Sequence, residues 1–86
     1  MKHAGASTLA HLAPLLGAIR RAVGATLVER KPGTFYRRSA AFLHFHEDPA
    51  GVFADLKQGD GAWQRFEINS PAQRAELLRA VTLRLR

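Results

Sequence analysis

Between residues 34 and 68 the apolar side chains stop recurring every three or four positions and alternate instead, and turn residues cut the stretch at short intervals. A helix that buries one face needs a period near 3.6, whereas a strand that buries one face needs a period of two, so this region is read as strands. Residues 35–37, 40–46, 52–57 and 62–68 each carry the alternation. Asp48-Pro49-Ala50-Gly51 has the chemistry of a type I turn, with Asp first, Pro second and Gly fourth. Gly59-Asp60-Gly61 suits a three-residue hairpin loop with a glycine for the left-handed position. Arg38-Ser39 is a further turn. Residues 26–30 read as a short edge strand closed by Pro32-Gly33, which completes an antiparallel meander of four to five strands.

Helical periods flank the meander. Leu9, Leu12, Leu16, Ile19 and Val23 lie on one helical face behind a candidate cap at Ser7, and Pro14 requires that helix to bend or to begin near it. At the other end, Ser70-Pro71-Ala72-Gln73 combines an N-cap, a first-turn proline and a capping box, followed by the stripe Leu77, Leu78, Val81 and Leu85. The expected architecture is a single α+β domain over residues 1–86, helix, sheet, helix, with both helices on one sheet face and residues 1–6 flexible.

The turns also fix which side chains share a face. With 48–51 as one turn, Leu43 faces Leu56, His44 faces Asp55 and Phe45 faces Ala54; with 59–61 as the next, Ala54 faces Phe66 and Asp55 faces Arg65. One face then holds Leu43, Phe45, Val52, Ala54, Leu56, Phe66 and Ile68, the expected core. The other holds Phe42, His44, His46, Phe53, Asp55, Lys57, Trp63, Arg65 and Glu67, joined by Phe35 and Arg37 if the first hairpin keeps the same parity. A bulge in the strand over 40–46 would instead turn the histidines inward.

Two helices on one side leave that second face open, and open aromatic faces mark interaction sites. In the leading reading it is a protein-binding or self-association surface, with Phe42, Phe53 and Trp63 as anchors and His44, Asp55 and Arg65 as a polar row. A second reading is single-stranded nucleic-acid binding: aromatics stack bases while Arg37 and Arg38 at the hairpin tip, Lys57 and Arg65 meet phosphates, against the repulsion of Asp55 and Glu67. A third is a metal site, since His44-x-His46 puts two imidazoles on one side of a strand and Asp55 opposite completes a set able to bind zinc.

Composition narrows the alternatives. Thirteen Lys and Arg against seven Asp and Glu give a net charge of +6, and ten of the thirteen are Arg in an 86-residue chain rich in Ala, Leu and Gly. Such a balance supports attraction to polyanions without naming one. The absence of cysteine excludes disulfides and thiolate sites, and no apolar run reaches the roughly 18–20 residues of a membrane span, so a cytoplasmic protein without a membrane partner is expected. Residues 4–19 behind Lys2 imitate a secretory leader, but His11 and Pro14 interrupt them and Arg20-Arg21 follow, so they are assigned to the first helix. No nucleophile elbow, P-loop or H-E-x-x-H helix is present, so a binding role without catalytic residues is expected.

The run Phe35-Tyr36-Arg37-Arg38-Ser39-Ala40-Ala41-Phe42-Leu43-His44-Phe45-His46-Glu47-Asp48, with Phe53-Ala54-Asp55-Leu56, resembles short uncharacterised bacterial α+β proteins. Its His-x-His and Asp-Leu pattern is similar to a bacterial luciferase-like domain, and the strand order to MmcQ/YjbR-type domains. The resemblance implies a compact bacterial α+β domain and carries no functional residue with it.

Overall fold

The computed structural model describes residues 1–86. Strand β1 (Lys2–His3) precedes helices α1 (Ala6–His11) and α2 (Ala13–Val23), and a 3-10 turn (Gly24–Thr26) leads into the sheet. Strands β2 (Val28–Lys31), β3 (Thr34–Arg37), β4 (Ala40–Asp48), β5 (Gly51–Lys57) and β6 (Trp63–Glu67) follow, and helix α3 (Pro71–Arg84) ends the fold. All pairings are antiparallel, in the order β2-β3-β4-β5-β6, with β1 added beside β4.

The turn chemistry accounts for most of this. Asp48 Oδ1 accepts from the Ala50 N–H at 2.7 Å, and Asp48 pairs with Gly51 across a two-residue connection. Gly61 takes a positive φ of 89°, and Gln58 N–H donates to Ala62 O at 2.7 Å, closing the three-residue loop. The Arg38-Ser39 connection places both residues at positive φ, 51° and 70°, as a type I′ hairpin requires, although neither is the glycine or asparagine usually found there. Ser70 caps α3 reciprocally with Gln73, as the sequence pattern requires.

The first helix is two. The chain breaks at Leu12, so Pro14 stands in the first turn of α2, where its missing N–H costs no helical hydrogen bond. The cap position of α1 is Gly5 rather than Ser7, and the Gly5 N–H donates to Glu47 Oε2 at 2.7 Å. Residues 1–6 carry strand β1, in which Lys2 pairs with Glu47 and His3 with His46.

Leu12, Leu16, Ile19 and Val23 from α2 and its entry meet Leu77 and Val81 from α3 over Leu43, Phe45, Ala54, Leu56 and Ile68 of the sheet side, all buried. Val52 and Phe66 pack against this core partly buried. One departure matters for function. Between Phe35 and Tyr36 the β3–β4 register slips, so that Phe35 faces Leu43, Tyr36 faces Ala41, and Phe42 has no partner. This bulge turns Phe42 inward beside Leu43, and both Phe42 and Phe35 are buried core residues rather than members of the open face. Arg37, alternating with Tyr36, follows Phe35 to the helix side, where its guanidinium lies 5.8 Å from the Phe42 ring centroid. The bulge precedes His44, so the histidines keep their outward direction.

Candidate functional site

The unbulged half of β4 and its neighbours build the open face. His44 stands opposite Asp55, Asp55 opposite Arg65, and Lys57 opposite Trp63, as the two turns require. Asp55 is nearly fully buried, and Arg65 grips it in bidentate fashion: Nε donates to Oδ1 and a terminal nitrogen to Oδ2, both at 2.9 Å. These bonds hold the Asp55 carboxyl below the usual carboxylate range, burial opposing them. Burial and then the adjacent His46 push the His44 imidazole below the ordinary histidine value, which favours the neutral ring that can act as a ligand.

His44 Nδ1 lies 2.6 Å from His46 Nε2, which lies 3.2 Å from Asp55 Oδ2. All three atoms fall within 4.8 Å of one another. Two N–H groups cannot both point inward at 2.6 Å, so at least one of the two imidazole nitrogens turns a lone pair toward the other. A cation at the same point would satisfy all three at once. Tetrahedral zinc with bonds of about 2.0–2.1 Å separates its ligands by roughly 3.3 Å, so the two rings would open by about 0.7 Å; the 3.2 Å from His46 Nε2 to Asp55 Oδ2 already fits, and the His44 ring would turn to bring its Nδ1 to the same separation from the carboxylate.

The surroundings include two residues that local sequence reasoning did not assign. His3, within the segment expected to be flexible, packs beside the pair with ring centroids 5.8 Å from His46 and 6.4 Å from His44. It shares a 3.0 Å hydrogen bond with Thr34, a buried hydroxyl on the same face. Its own imidazole is also held below the ordinary value, first by burial and then by His46. No local signal marks His3, because its pairing spans the chain from β1 to β4. Trp63 is 42 % exposed, with a ring centroid 4.6 Å from that of His44 and the Lys57 ammonium 4.9 Å over its own ring.

Of the residues the sequence nominated, the structure brings His44, His46, Asp55, Arg65 and Trp63 together, with Phe53 half-buried across from His46 on the same face. Phe42 and Arg37 lie on the helix side, and Arg38 is exposed at the hairpin tip. No helix is long and apolar enough to cross a membrane. No protein-family model matches the chain, and neither a curated protein nor a solved structure gives a significant match.

Proposed function

We propose that this protein is a small binding module whose open sheet face takes up a divalent transition metal, zinc in the first instance, through His44, His46 and Asp55. The gathering of two imidazole nitrogens and a carboxylate oxygen within 4.8 Å of one another carries the reading. Nitrogen and carboxylate donors without thiolate suit zinc and its first-row neighbours. Arg65 is the positioning residue, fixing the Asp55 carboxylate while leaving Oδ2 a lone pair for the metal. Three protein ligands leave a coordination position for solvent or for a group from a partner.

Titration of chelator-treated protein with zinc, followed by calorimetry and by Trp63 fluorescence, tests this. One equivalent should bind with a tryptophan response, His44→Ala should abolish uptake, and Arg65→Met should weaken it roughly 10–100-fold. Uptake that survives His44→Ala, or no uptake at micromolar zinc, would reject the site.

The exposed indole of Trp63 favours a second reading, in which the same face meets another copy of the chain. A sedimentation mass above the 9.5 kDa monomer that falls back to it in Trp63→Ala supports this reading, and a monomer at every concentration opposes it. Stacking of nucleic-acid bases there has less to work with, because Phe42 and Arg37 are absent from the face and Arg65 is committed to Asp55.

A further inference from the structure

On the helix side, at the end of the sheet away from the histidines, a cleft of about 230 Å³ opens between the β3–β4 hairpin, the end of β5 and the last turn of α3. Its polar wall is cationic. Arg37 enters from β3 and Arg84 from α3, and no carboxylate lines the cleft or forms an ion pair with either residue.

Both guanidiniums are nonetheless held by neutral partners. Arg84 donates to Gln58 Oε1 at 2.6 Å, and Gln58 is itself braced by donating from Nε2 to Gln64 Oε1 at 2.6 Å. Arg37 lies against the Phe42 ring. An amide and an aromatic ring orient a guanidinium without cancelling its charge as a carboxylate would. Two half-buried, uncompensated arginines facing one cleft form a fork for an oxyanion, and Ala40, paired with Arg37, and Phe42 supply an apolar wall beside them. The volume lies below the roughly 300–1,000 Å³ of sites for drug-sized molecules, so a small ligand is implied.

We propose that this cleft binds the phosphate group of a small phosphate monoester, with Arg37 and Arg84 holding the phosphate and the organic part resting on Ala40 and Phe42. The cleft shares no residue with His44, His46 and Asp55, and Lys57, which also lines it, reaches over Trp63 on the other face, so the two sites are broken by different substitutions and either can fail alone.

Phenyl phosphate, titrated into 15N-labelled protein and followed by amide chemical shifts, tests the assignment. The Ala41 and Gly59 amides should shift and saturate at millimolar ligand, and the apparent affinity should fall roughly tenfold or more in Arg84→Gln, at the helix end, and in Arg37→Gln. Unchanged dispersion of the remaining amides verifies that each variant is folded. Sulfate should shift the same amides more weakly. Shifts that fail to saturate, that spread to Arg20 and Arg21, or that persist in both variants would overturn the site. A single-stranded oligonucleotide that shifts the same amides at lower concentration than phenyl phosphate would overturn the small-molecule assignment in favour of a nucleic-acid backbone.

Discussion

The two faces of the sheet are made from alternate residues of the same strands, yet they are held by different physics. On the helix side, Leu43, Phe45, Ala54 and Leu56 have essentially no exposure and no polar side chain among them, so apolar area and close packing supply the stability. On the open side, the buried residues are Thr34 and Asp55, and each is tolerated because a specific neighbour meets it, His3 in one case and Arg65 in the other. No buried side-chain nitrogen or oxygen lacks a hydrogen-bond partner. One face is therefore robust to exchange among apolar side chains of similar volume, while the other depends on individual pairs that chemistry can reach.

Substitutions should separate the two in order of size. Phe42→Ala is the sharpest case, because the bulge moves this residue from the open face to the packed one. A loss of about 3–5 kcal/mol in denaturant unfolding is expected, against a small change if the ring stood in solvent. Asp55→Ala should cost less, about 1–2 kcal/mol, since the stranded Arg65 guanidinium is half exposed and water takes over part of its solvation.

Glu29 gives an acid-side prediction. Its carboxylate accepts from Arg20 twice, at 2.6 and 2.8 Å, and from the Gly33 N–H at 2.9 Å, which lowers its pKa, the Arg20 bonds being the main cause. A carboxyl depressed in the folded state contributes stability that is present above its unfolded value of 4.5 and lost as pH falls through the folded one. Thermal melts of Glu29→Gln should thus lose less on acidification from pH 6 to pH 3 than those of the parent chain. The effect should be smaller than that of Asp55→Ala, because the Glu29 carboxylate is the more exposed of the two acids and is better screened. Trp63→Ala should be smallest in stability, about 1 kcal/mol or less, although it removes the fluorescence signal beside His44.

The β4–β6 half of the sheet was legible because its register is local. Asp48 to Gly51 and Gly59 to Gly61 carry their own turn instructions, and pairing His44 with Asp55 and Asp55 with Arg65 follows by counting outward. The β3–β4 hairpin was not, since Arg38 and Ser39 lack the usual residues of a turn that needs positive φ twice. The apolar doublet Phe42-Leu43 was the available sign that alternation breaks there, and tertiary packing drew both rings, Phe35 and Phe42, to the core. The cluster was therefore read in outline, as His44, His46 and Asp55, while its third imidazole came from a strand of two residues that no periodicity reveals.

That short strand has a consequence for the order of folding. His3 and His46 are 43 positions apart, so seating β1 closes a long loop whose entropic cost is roughly 3 kcal/mol by the logarithmic chain estimate, apart from a constant. Two residues of pairing offset little of this, and the Ala4 N–H bond to Phe45 O, the burial of Ala4 and the bonds from His3 to Thr34 and from Gly5 to Glu47 add to that offset. During assembly β1 should join after the central hairpin exists, and in the folded protein it should be among the first segments to exchange its amide hydrogens. The imidazole environment beside His46 would then open and close on its own clock while the five strands β2 to β6 stay paired.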